Sequence, residues 1–198
     1  LAIPDEYDRL RRAAGSYRDS LNIRLGGEVG LRSFEIPQIE PKHVSHVDGH
    51  ARLRVPSGKD TSGSGGKPRD AFLPESVESE LLRFANVEGI EREEPVVQIG
   101  KRAVQKRVTV TAGQVAEETG NDDWEKVSSH DLRRYFAQTL LVRRNMNPRV
   151  VMDVGGWGSF EALKPYLDAP TPEVVNAEFE KAGITSAAVG SWHGQLNG

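Results

Sequence analysis

His130 and Arg133 stand three residues apart in Ser128-Ser129-His130-Asp131-Leu132-Arg133, so a helix beginning there presents both on one face. A helix N-terminus turns free backbone N–H groups and the positive end of its dipole outward, which suits a phosphate. Taken alone, the pair reads as a solvated helix end. Arg32 lies in Gly30-Leu31-Arg32-Ser33-Phe34-Glu35. Glu35, one turn later, can hold the guanidinium, though in isolation such a pair reads as a surface ion pair. Lys59 sits at the tip of a β-turn, where a flexible ammonium can reach a ligand or simply stay in water. Trp157, in Val154-Gly155-Gly156-Trp157-Gly158, reads as a core aromatic. Tyr166, in Lys164-Pro165-Tyr166-Leu167, reads as an anchor with its hydroxyl at the surface.

Other groupings carry less. His43, His46 and His50 straddle a hairpin without cysteine or a carboxylate triad, so no metal site is expected. Gly63-Ser64-Gly65-Gly66-Lys67-Pro68 has Thr61 where a phosphate loop needs its first glycine. It also has Pro68 where that loop needs a hydroxyl for magnesium. Lys101-Arg102-Ala103-Val104-Gln105-Lys106-Arg107 puts four bases on one helix, which fits contact with a nucleic-acid backbone and fits a solvated face as well.

Together, in this order, Arg32, Lys59, His130-x-x-Arg133, Trp157 and Tyr166 resemble the catalytic set of the tyrosine recombinases, or phage integrase family. Gly-Leu-Arg-x-x-Glu opens the segment, a hairpin follows that ends in Gly58-Lys59, and His130-Asp131-Leu132-Arg133 begins a late helix. Gly155-Gly156-Trp157 stands nine residues before Tyr166. The resemblance covers about residues 5–182. It implies that Tyr166 attacks a DNA phosphodiester and forms a phosphotyrosyl ester, which keeps the energy of the bond so that rejoining needs no ATP. It further implies that Arg32 and Arg133 hold the nonbridging oxygens, as planar, always-charged guanidiniums suit. His130 assists as base, and Lys59 protonates the leaving 5′ oxygen. The long loop 56–68 offers Lys67 as a rival for that role. Trp157 donates its indole N–H and buttresses Tyr166, and Glu35 supports from behind. Lys67, Lys101, Arg102, Lys106, Arg107 and Arg134 are the expected DNA-binding side chains.

The resemblance also implies no metal or other cofactor, double-stranded DNA as partner, and a homo-oligomer that is a tetramer on DNA and a monomer without it. The expected place is the cytoplasm, in association with the nucleoid. A type IB topoisomerase-like enzyme that relaxes DNA, or a regulator of the same fold that binds DNA without cutting it, remains open on the sequence. Residues 1–182 are expected to form the catalytic domain and 183–198 a flexible tail. The helical core-binding domain that precedes it in the family is expected to be absent from this chain, which opens Leu1-Ala2-Ile3-Pro4.

Bulk composition permits this. The chain has 198 residues, room for about one domain, and no apolar run approaches the 18 or more residues of a membrane span. Zero cysteines exclude disulfides, thiolate nucleophiles and cysteine-based zinc sites. The net charge of −3 looks wrong for a DNA binder, yet the charges are segregated. Residues 75–94 carry seven acids against two bases, and residues 95–150 ten bases against six acids. A polarised molecule can bind DNA on one face while its average is acidic. Few lysines, no cysteine and an acid excess also fit a haloarchaeal composition.

The elements that must position these side chains are mainly helical. Periodic apolar residues predict helix over 5–29, a short helical stretch over 30–36, and helices near 75–87, 101–118, 130–143, 148–154, 159–165 and 172–182. Ser128 and Asp131 fit a capping box. Asp48-Gly49 between the β-prone runs 43–47 and 50–55 predicts a hairpin, and 69–73 a third strand. The expected fold class is α+β: an integrase-type, mainly helical catalytic domain with a small three-stranded antiparallel sheet.

Overall fold

Ser16 divides the first predicted helix in two. In the computed structural model, which describes residues 4–56, 68–166 and 172–184, α1 runs Pro4–Arg12 and α2 runs Tyr17–Gly27. The Ser16 hydroxyl caps α2 by accepting the Asp19 N–H at 3.1 Å, a contact available only if the chain leaves helical geometry there. α2 is central. Leu21, Ile23 and Leu25 are buried on several sides of it, and a Cβ on Gly27 would come within 2.3 Å of the Tyr7 ring. Gly26 and Gly27 are therefore points of close packing within the helix.

The segment after Gly30 is a turn followed by a single 3-10 turn, Ile36–Gln38, rather than a longer helix, with Pro37 in its second position. The sheet follows: β1 (Val44–Val47), β2 (His50–Val55) and β3 (Arg69–Phe72), antiparallel in that order. Val47 pairs with His50 across Asp48-Gly49, both at positive φ (50° and 76°), the type I′ geometry that Asp-Gly favours. Ala51, Leu53, Val55 and Ala71 point inward onto α2 and α3 (Glu75–Val87), where Val77, Leu81 and Phe84 complete one apolar cluster.

α4 (Lys101–Thr119) packs Val108, Ala112 and Val115 with Tyr7, Leu10 and Trp124 in a second cluster. α5 (Ser129–Gln138) opens on the predicted capping box: Asp131 accepts the Ser128 backbone N–H at 3.0 Å and its hydroxyl at 2.8 Å. It ends earlier than predicted, passing into a π-helical turn over Thr139–Arg143. α6 spans Pro148–Gly155. Two 3-10 turns, Phe160–Ala162 and Lys164–Tyr166, replace the helix predicted over 159–165, since Pro165 lacks an N–H and restrains the residue before it.

By its contacts the chain forms two units, residues 1–167 and 168–198. In the second, α7 spans Pro172–Lys181. Most of the predicted tail, residues 185–198, lies outside the described residues. Among the described residues no helix is long and apolar enough to cross a membrane.

Candidate functional site

Arg133 enters the fold from the inner face of α5. It is 4% exposed, and its guanidinium donates to the carbonyl of Gly30 and, at 2.7 Å, to that of Gly155. Its Cζ lies 3.6 Å from the centroid of the Trp157 ring, a desolvated cation–π contact. Burial pulls its pKa down, the charges of Arg32 and Arg69 pull the same way, and Glu35 and Tyr166 oppose them. The result is about 9, so the group stays protonated at neutral pH.

Arg32 reaches the same place from the turn after α2. It donates to Glu35 Oε1 at 2.9 Å and to the Gly156 carbonyl at 2.7 Å, and its backbone N–H donates to Glu35 Oε2 at 2.8 Å. Glu35 is 0% exposed. Burial alone would raise its pKa. The hydrogen bonds and charge of Arg69, then those of Arg32, outweigh burial and hold it below the usual carboxylate range.

Arg32, Ser33, Phe34, Lys101, Gln105, Ser129, His130 and Arg133 line one open cleft of ≈ 410 Å³. His130 is exposed in the first turn of α5, where the free N–H groups of the helix start also face outward. Trp157, which stacks on Arg133, and Tyr166 belong to the third apolar cluster, with Phe136 and Leu163. Their rings meet edge to face, centroids 6.1 Å apart, and Tyr166 is 8% exposed. The ring of this predicted anchor is thus packed inside the cluster. The double glycine has a spatial cause: a Cβ on Gly155 would come within 1.9 Å of the Trp157 ring. Gly156 closes α6 in the left-handed region at φ +68°.

The bases of α4 divide by helical period. Lys101 and Gln105, four apart, face the cleft. Lys106 and Arg107 line a separate concavity, where Arg107 pairs with Asp19 at 3.1 Å. Arg102 and Arg134 are exposed, and Arg134 lies 3.9 Å from Asp131. Lys59 and Lys67 lie outside the described residues. His46 pairs with Glu78 at 3.0 Å, and His43 accepts the Glu40 N–H. Among the described residues no group of three or more His, Asp or Glu side chains is placed to hold a metal ion.

One member was missed. Arg69, on β3, donates to both oxygens of Glu35 at 2.7 and 2.9 Å, and its Nε donates to the Val154 carbonyl at 3.1 Å. Strand alternation carried the signal, since Arg69 shares its parity with the inward Ala71 and Leu73. A charge on that face needs a buried partner.

The family model described as phage integrase family matches residues 3–171. The chain belongs to the phage integrase family. No curated protein sequence matches it. Among solved structures of the family's fold, XerA recombinase superposes with a TM-score of 0.67 at 16% identity, over 93% of this chain and 63% of that one. The Tn1549 transposon integrase, in complex with transposon right end DNA, gives 0.68 at 16%, over 92% and 65%. XerH site-specific recombinase, bound to its difH substrate, gives 0.65 at 18%, over 89% and 52%. At such identities the likeness is one of fold, the integrase catalytic domain with its small antiparallel sheet. This chain spans between about half and two thirds of the length of those proteins.

Proposed function

We propose that this chain is the catalytic part of a site-specific DNA recombinase, which cuts and rejoins duplex DNA through a covalent 3′-phosphotyrosyl link. The observation that carries this reading is the gathering of Arg32, His130 and Arg133 on one cleft. Arg133 is stacked on Trp157, and Trp157 meets Tyr166.

The scissile phosphate sits in the cleft between Arg32 and Arg133. The guanidinium hydrogen bonds described above use two of the five N–H donors of each arginine. The rest are free to meet the nonbridging oxygens, whose charge grows in the transition state. Removing either arginine costs on the order of 3 kcal/mol of barrier. The Tyr166 oxygen attacks phosphorus, its proton passes to His130, and the P–O5′ bond breaks as the 5′ oxygen takes a proton from Lys59. A free 5′ hydroxyl reverses these steps, so neither ATP nor a metal ion is called on. Tyr166 is packed in an apolar cluster against the Trp157 ring, which itself stacks on Arg133. Lys101 and the outer bases Arg102 and Arg134 meet flanking phosphates. Exchange between two duplexes calls for four copies on DNA.

The test incubates the full chain with nicked suicide duplexes carrying the sequence that flanks its gene. The expected result is a protein–DNA species that survives denaturation. DNA binding without such a species overturns the catalytic reading.

A further inference from the structure

Resting on the recombinase reading, we infer that Arg69 is a positioning residue that holds Arg32 at the scissile phosphate through Glu35. Arg69 is buried, 9% exposed, and is not on the cleft wall. Its two terminal nitrogens occupy both oxygens of Glu35, and the same two oxygens take the Arg32 side chain and backbone. A carboxylate so bound from four directions cannot rotate without breaking a charge-assisted bond.

The hold closes into a ring. Arg69 Nε is fixed on Val154 in α6, and the far end of Arg32 is fixed on Gly156 just beyond it. A Cβ on Gly156 would stand 2.8 Å from Arg69 Cδ, so the turn is shaped around the Arg69 side chain. β3, the post-α2 turn and the end of α6 thus meet on one carboxylate. Charge points the same way. Arg32, Arg69 and Arg133 face a single Glu35, an excess of positive charge that an incoming phosphate would offset.

The test compares the full wild-type chain with Arg69→Met, Arg69→Lys, Arg32→Ala and the Arg32→Ala/Arg69→Met double variant. Nicked duplexes carry either an ordinary phosphodiester or an uncharged methylphosphonate at the scissile position. Adduct formation by Arg69→Met on the phosphodiester is expected to slow on the order of 10²-fold, with DNA affinity little changed and Arg69→Lys in between. The double variant is expected to be no slower than Arg32→Ala alone, because both act on one interaction. The methylphosphonate, lacking the charge that Arg32 meets, is expected to recover much of the loss in both single variants. A double variant slowed by the product of the two single effects, or an Arg69→Met that the methylphosphonate does not help, overturns the proposal. NMR of the arginine Nε–H groups adds an arm that needs no activity. Arg69→Met must shift the Arg32 signal in the folded protein, and an unmoved signal overturns the proposal. A wild type that forms no adduct sinks the recombinase reading by itself, and the NMR arm still decides whether Arg69 sets Arg32.

Discussion

The Arg133 guanidinium lies 3.6 Å from the centroid of the Trp157 ring, while its nitrogens hold the carbonyls of Gly30 and Gly155. A buried cation is costly unless its donors are met. Among the described residues a ring face and two backbone oxygens meet it without a carboxylate of its own, so Arg133 keeps a charge available for an anion. Trp157→Ala removes the ring. It is expected to lower stability by about 3–5 kcal/mol and to slow adduct formation, whereas Trp157→Phe, which keeps a smaller ring face, loses less of both. Urea unfolding and adduct yield measured side by side check this.

Glu35 couples stability to pH. Its folded pKa lies below the ordinary carboxylate value, so its contribution is full above the ordinary range and is lost as pH falls through the lowered folded value. Glu35→Gln is expected to cost about 3–5 kcal/mol at neutral pH, since it leaves Arg69 buried and poorly paired. It should also flatten the loss of stability as pH falls below the ordinary carboxylate range, about 4.3. Unfolding titrations across that range measure both, and a variant as acid-sensitive as the wild type contradicts the account.

Gly156→Ala meets two obstacles, the left-handed φ of +68° and the Arg69 side chain. A loss of about 1–3 kcal/mol is expected from the backbone alone. Adduct formation should fall further than stability does, because the clash displaces the residue that holds Glu35. Thermal melting set beside cleavage rate separates the two effects.

The division of bases around α4 predicts unequal roles. Lys101→Ala, on the cleft, is expected to weaken DNA binding evenly across sequences and reduce the salt slope by about one. Arg107→Ala, paired with Asp19 on another face, should change that slope little. Fluorescence anisotropy over a salt series reads both, and equal slopes for the two variants contradict the assignment.

Some of the elements around this site could be read from local chemistry, whereas its side chains taken singly could not. The Asp48-Gly49 hairpin and the Ser128/Asp131 box depend on neighbours within four residues, and both form as expected. Helical period separates Lys101 from Arg107. Arg69 escaped because its partner lies 34 positions away, and only its inward parity on β3 marks it. The packing of Tyr166 was not legible either, because Phe136 and Trp157, distant in sequence, meet it only in the fold. The apolar spacing continues across Gly15-Ser16 and so predicts one helix, although Ser16 is a good cap and divides it.

The central claim is that Tyr166 is the nucleophile, and the most direct measurement identifies the residue that carries DNA. The wild type and Tyr166→Phe would be trapped on nicked suicide duplexes, digested with protease and nuclease, and the nucleotide-bearing peptide located by mass spectrometry. The account predicts one modified peptide containing Tyr166 in the wild type and none in the variant. A nucleotide on Tyr135 or another tyrosine, or an adduct that survives Tyr166→Phe, contradicts it.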